Sequence, residues 1–361
     1  MHIPDGYLSP ATCAVAYAAS VPFWRVALKR VKKTMNSRQV PLLSLFAALS
    51  FVIMMFNLPL PGGTTGHATG IGLATVVIGP WAAMLAVSVA LVVQALFFGD
   101  GGVTAIGANC FNMAIAGSLV AYAVYRLAAG RSPLASARRV VAAGVAGYVA
   151  INFSALLAAI EFGIQPLLYK DAGGAPLYCP YPLSIAIPAM MIGHLTIAGL
   201  AELAVSAGVV AFLQRSDLSL LRGTAGKVRD AEQAAPPTPS KSLRPLWAGL
   251  AILCVLTPLG ILAAGSAWGE WMASDYADTA TRHQIASASL NHEAPARAPE
   301  GLARLSSVWT APFARYAPPY IRGAGFGYLL SGMFGAGLIV VGFLLLGSFT
   351  RSAVRAGPDS A

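Results

Sequence analysis

Charge is what this 361-residue chain has least of. Only 11% of its residues are Asp, Glu, Lys or Arg, against about 25% in ordinary soluble domains. No charged residue at all occurs between Gln39 and Gly99, a stretch long enough for two or three bilayer crossings of about 20 residues each. With 57% hydrophobic content and a mean hydropathy of +0.67, this excludes a soluble globular domain and implies an all-α polytopic membrane protein. Cysteine is scarce too. Cys13, Cys110, Cys179 and Cys254 lie far apart with no CxxC spacing, which argues against a disulfide framework or a zinc site. There is no HExxH, and no two histidines stand four apart, which weighs against an intramembrane metalloprotease. A phosphate-binding loop is also missing. Gly223-Thr224-Ala225-Gly226-Lys227 lacks both the first glycine and the following Ser or Thr of GxxxxGK[ST], so the chain is not expected to hydrolyse ATP.

What is present is a run of apolar segments punctuated by basic loops. The spans run from about Ser9 to Phe23, with a basic helical extension, then Pro41–Asn57, Ala68–Ile78, Trp81–Phe98, Gly107–Tyr125, Val140–Ile160 and Leu183–Leu213. A polar linker, 215–244, has a core (Ala235-Pro236-Pro237-Thr238-Pro239-Ser240) that reads as extended. Beyond it, Pro245–Gly269 and Gly323–Thr350 flank a polar loop and form a two-helix transmembrane hairpin. The expected domains are therefore 1–214, a cytoplasmic linker 215–244, a two-helix module 245–350 and a cytoplasmic tail 351–361. Counted as seven plus two crossings, with the short Ala68–Ile78 tilted or re-entrant, 18 of the 24 Lys and Arg fall on one side. The positive-inside rule then places the N-terminus and the loop carrying His67 outside the cell membrane. The net charge of +10 needs no nucleic acid to explain it.

Against this apolar background the histidines stand out. His2 gives the chain a chelating terminus: the α-amine of Met1, the amide nitrogen of His2 and the His2 imidazole close a five- and a six-membered ring around one ion. A bulky second residue favours retention of Met1, and the amine is expected to be free. Pro4-Asp5-Gly6 reads as a turn that shapes the segment. His67, in Gly62-Gly63-Thr64-Thr65-Gly66-His67-Ala68-Thr69-Gly70, can supply a fourth nitrogen from the same side of the membrane. All-nitrogen coordination in one plane favours Ni(II) or Cu(II), with Co(II) close behind.

These residues carry a resemblance. Met-His-Ile-x-x-Gly at the terminus, the GGTTGHATG loop, Gly79-Pro80-Trp81-Ala82-Ala83, Gly101-Gly102-x-Thr104-x-x-Gly107-Ala108-Asn109 and Phe111-Asn112-Met113-Ala114 are similar to the CbiM/NikM proteins, the substrate-capture components of energy-coupling-factor transporters for cobalt and nickel. The similarity covers roughly residues 1–215. Residues 245–350 resemble the small CbiN/NikN subunit, through Thr257-Pro258-Leu259-Gly260, Ala267-Trp268-Gly269-Glu270-Trp271 and Pro299-Glu300-Gly301-Leu302, with Ala303 where that family often has an acidic residue. The resemblance implies a seven-helix bundle fused to the two-helix module. It also implies Met1, His2 and His67 as ligands to transported Ni2+ or Co2+, with no resident cofactor. Energy would come from ABC-type ATPase subunits acting through a transmembrane coupling subunit. An ATPase-independent permease is the alternative reading.

Other polar residues are weaker candidates. Asn109 and Asn112 are read as groups that orient a ligand histidine, or, for Asn109, as a helix cap. Glu161, His194 and Glu202 are intramembrane ionisable groups. The eight-residue spacing of the last two would place them on one helix face, where a shared polar contact can form, but a structural hydrogen-bonded role is the reading preferred for both. His283 and His292 lie in the outer loop of the second module. Ala14 and Ala18, four apart, could pack closely on another helix, within the chain or on a coupling subunit.

Overall fold

The computed structural model describes residues 1–34, 39–226, 228 and 243–355. Helix α1 (Pro10–Thr34) and α2 (Gln39–Met54) lead to a short hairpin, β1 (Leu58–Leu60) and β2 (Thr64–Gly66). Next come α3 (Ile71–Ile78), α4 (Pro80–Phe98), α5 (Ile106–Ala129), α6 (Ala137–Leu168) and α7 (Leu183–Ser216). The second module contributes α8 (Arg244–Leu262), loop helices α9 (Thr279–Ala288) and α10 (Glu300–Leu305), and α11 (Ala324–Arg355). Among the described residues, seven helices are long and apolar enough to cross a membrane. Their outward faces carry exposed apolar side chains such as Val15, Leu127, Val141, Leu200 and Leu262. With no driving force to bury these residues except lipid, this is an integral membrane protein.

Two expected spans come out shorter than a crossing. Helix α2 has 16 residues and α3 only eight; at 1.5 Å per residue α3 rises about 12 Å. Gly79 and Pro80 end it, with Gly79 at φ +82°. The short segment is thus a buried half-helix that enters from the hairpin loop and turns back as α4. Irregular backbone at that depth is tolerated because it is enclosed by protein.

Small residues set how closely the helices approach. A Cβ on Gly72 of α3 would overlap the Gly147 backbone of α6, and one on Gly147 would lie 2.6 Å from Ser206 Oγ of α7. The second module is not a separate body. Tyr328 of α11 donates to the Met55 carbonyl at 2.7 Å, and a Cβ on Gly335 would strike the Phe51 ring of α2. The start of the expected linker is ordered: α7 runs to Ser216, Leu218–Leu221 forms a 3-10 turn, and Thr224 donates to the Val76 carbonyl. Its Pro-rich core lies outside the described residues.

Among the described residues, three helices carry π-helical turns: Gln94–Phe98, Cys110–Ala116 and His194–Ala198. His194 and Glu202, about 12 Å apart along α7, have separate hydrogen-bonded roles: His194 Nδ1 bonds the Met190 carbonyl at 2.8 Å, and Glu202 accepts from the loop after His67.

Candidate metal centre

The amino terminus is folded inward. Met1 is 3% exposed, and His2 and Ile3 are fully buried. The Pro4-Asp5-Gly6 turn forms as expected, with Gly6 at φ +88°. Ile3 is held on both sides of its backbone: its N–H donates to Asn109 Oδ1 (2.8 Å), and its carbonyl accepts from Asn109 Nδ2 (3.1 Å) and Gly102 N–H (2.8 Å). The Asp5 carboxylate accepts from the N–H groups of Val103 (3.0 Å) and Thr104 (2.7 Å), at the entry to α5, where a negative charge is favoured.

Gly102 permits this docking. A Cβ there would overlap the backbone nitrogen of Asp5. Overpacking of this kind costs about 1–3 kcal/mol, so Gly102→Ala is expected to weaken metal binding by roughly 5- to 150-fold. Equilibrium dialysis of the purified protein measures it, and native affinity in the variant would show that this contact does not hold the terminus.

His2 and His67 meet. Their ring centres are 5.0 Å apart and the planes inclined by 32°. Imidazoles bound about 2 Å from one ion at adjacent corners of a square would hold their centres roughly 4.5 Å apart. His67 Nδ1 lies 3.0 Å from the Ala68 carbonyl. A carbonyl only accepts, so Nδ1 carries the hydrogen and Nε2 keeps its lone pair. Burial first, then His2 and the α-ammonium, push the His67 imidazole down to about 3, so the ring is neutral at ordinary pH. His2 Nδ1 faces Asp100 Oδ1 at 2.8 Å, whereas Nε2 is buried without a hydrogen-bond partner. An unsatisfied buried nitrogen is costly, and a histidine set between a carboxylate and a second imidazole fits a site that takes a cation.

Two carboxylates that the sequence reading did not single out face these donors. Glu270, in the loop of the second module, lies 3.4 Å from the Met1 ammonium; burial raises its pKa against the pull of that ammonium. Asp100 is held below the usual carboxylate range despite burial, chiefly by His2. Its Oδ2 accepts from Tyr316 Oη of the second module at 2.6 Å, and Gln94 Nε2 donates to the same Tyr316 oxygen at 3.0 Å. The signals were faint: Asp100 sits between two recognised glycine motifs, and Glu270 within Ala-Trp-Gly-Glu-Trp. Among the described residues no group of three His, Cys, Asp or Glu side chains is arranged to hold a metal.

The second module roofs the site. Tyr7 Oη donates to the Trp271 carbonyl at 2.9 Å, Thr65 N–H to the Ser266 carbonyl at 3.2 Å, and Trp268 lies edge-on to Phe162 with centres 5.7 Å apart. Asn112 is not part of this arrangement; its Nδ2 donates to Glu161 at 2.7 Å. Asn109 is not a side-chain helix cap, since its amide is engaged by Ile3. His292 rests edge-on against Tyr181, and His283 lies within α9.

A family profile described as the cobalt uptake substrate-specific transmembrane region matches residues 2–220. The chain belongs to the CbiM family. A fused nickel transport protein, NikMN, from Rhodobacter capsulatus is 55% identical over 357 residues, covering 99% of this chain and all of that one. A probable fused nickel transport protein, LarMN, from Lactiplantibacillus plantarum is 47% identical over 75% of this chain and 78% of its own length. A crystal structure of a truncated transition metal transporter covers 60% of this CbiM-family chain and 99% of its own length, at 50% identity and a TM-score of 0.56. The fused organisation is shared with a relative matched along nearly the whole chain.

Proposed function

We propose that this chain is the ion-capturing membrane component of an ATP-driven importer for Ni2+ or Co2+. It holds the ion through the Met1 amine, the deprotonated His2 amide, His2 Nδ1 and His67 Nε2. The observation that carries the reading is the buried His2 imidazole, set against the His67 ring with centres 5.0 Å apart, beside a buried amino terminus. The claw takes three successive corners of a square and His67 the fourth. Asp100 and Glu270 balance the charge of the ion as it replaces the ammonium proton. The names of the relatives, one a nickel transporter and the family one of cobalt uptake, agree with this donor set, which accepts both ions.

With no phosphate-binding loop in the chain, ATP hydrolysis is assigned to partner subunits reached through a transmembrane coupling subunit. Ala14 and Ala18 lie on an exposed face of α1, open to such a partner. An ATPase-independent permease is less well supported. Glu202, one of two carboxylates in the crossing segments of the first 214 residues, is committed to the backbone of residues 69–72. The asymmetry of the basic loops supports an outer-face position for the claw.

Metal analysis of the purified chain, with Ni2+, Co2+ and Cu2+ in competition, tests the assignment; failure to retain any of them would overturn it. Its pH dependence has a definite sign. Each ion displaces protons from amine and amide, so affinity falls on acidification, by about two log units per pH unit between pH 6.5 and 7.5. Because His67 is already neutral, His67→Ala should bind more weakly but with the same slope. A slope lower by one in that variant would show that His67 does release a proton.

A further inference from the structure

The His67 ring is tied to a carboxylate through a single peptide group. Its Nδ1–H donates to the Ala68 carbonyl at 3.0 Å. The other end of that same peptide is the Thr69 N–H, which donates to Glu202 Oε2 at 2.7 Å. Glu202 is fully buried and belongs to membrane helix α7, 135 positions along the chain from His67. Its Oε2 also accepts from Gly70 N–H (2.9 Å) and the Thr69 hydroxyl (3.2 Å), and its Oε1 from Gly72 N–H (3.1 Å) and the Ser206 hydroxyl (3.4 Å). The close approach of α3, α6 and α7 at Gly72 and Gly147 brings the carboxylate under the loop.

We infer that Glu202 is a positioning residue for the ion, acting through the Ala68–Thr69 peptide to fix the tautomer and orientation of His67 and to strengthen Nε2 as a donor. The chain of bonds runs carboxylate, peptide N–H, peptide C=O, imidazole. A carboxylate drawing on the N–H makes the carbonyl a better acceptor, and successive hydrogen bonds polarise one another in the same direction. The result is the arrangement by which outer groups tune a metal-bound histidine, with a peptide inserted as the link; loss of such partners costs about 10- to 100-fold in metal affinity. Glu202 also caps the first turn of α3, and that role alone would steady the loop without selecting His67. The two roles make different predictions.

This inference rests on His67 being a ligand, and the experiment keeps the two claims apart. Full-length native protein, Glu202→Gln, His67→Ala and the double variant are titrated with Ni2+, following the ligand-field absorption band and equilibrium dialysis. Glu202→Gln is expected to bind about 10- to 100-fold more weakly and to shift the band. In the His67→Ala background the same substitution is expected to change residual binding less than about twofold. Native affinity in Glu202→Gln, or an equal loss in both backgrounds, overturns the inference and leaves His67 as a ligand. Native affinity in His67→Ala removes the ligand itself, and the inference falls with it. Should Glu202→Gln not fold, Glu202→Asp goes through the same cycle, where coupling to His67 supports the inference and its absence overturns it.

Discussion

Placing three alanines ahead of Met1 is expected to weaken binding of Ni2+ or Co2+ by ~10³-fold, about 4 kcal/mol. The extension turns the primary amine into a peptide nitrogen, which donates only once deprotonated, and carries the new amine too far along the chain to share a chelate ring with the His2 imidazole. It also needs space that is not there. The Met1 nitrogen faces Glu270 at 3.4 Å beneath a loop pinned by the Tyr7 bond to the Trp271 carbonyl. Apparent binding energies for structural zinc in small peptides run near 10–16 kcal/mol. Losing the amine, one of four donors, forfeits about a quarter of a figure of that order, up to about 4 kcal/mol. The helices do not depend on the amine, so thermal unfolding in the absence of metal should shift little. Isothermal titration on the extended protein decides it: affinity within a few-fold of native would mean that the terminus takes no part in holding the ion.

His67→Ala comes next in size. One donor of four is lost, about 3–4 kcal/mol on the same scale or roughly 10²–10³-fold, and the three nitrogens of the terminus remain. Uptake of trace Ni2+ or Co2+ by cells carrying the variant with its partner subunits should fall to a small fraction of native. Fold should survive, because His67 makes only a local hydrogen bond to Ala68, while the loop is held independently by Glu202. Unchanged uptake would remove His67 from the site.

The legibility of this protein differs sharply between its parts. The membrane class is written in the uncharged run from Gln39 to Gly99, since lipid admits no unpaired charge cheaply. The chelating terminus is readable because its donors are covalent neighbours: Met1 and His2 need no fold to share an ion. Asp100, Glu270 and Tyr316 were not readable, since nothing local distinguishes a carboxylate or phenol that will face the terminus from one in a solvated loop. Glu202 and His194 show the limit of periodicity: a shared helix face leaves them about 12 Å apart along the axis, and their partners come from elsewhere, the loop after His67 and the Met190 carbonyl.

By itself, the sequence determined that the chain is an apolar helical bundle and that its first two residues can chelate, because composition and covalent adjacency act without tertiary context. Only the tertiary structure decided that His67 meets His2, that carboxylates from residues 100 and 270 face the donors, and that the second module closes over them. Those contacts join positions far apart in the chain. Their formation depends on how closely helices pack at a few glycines, a property of summed shape that no short stretch of residues contains.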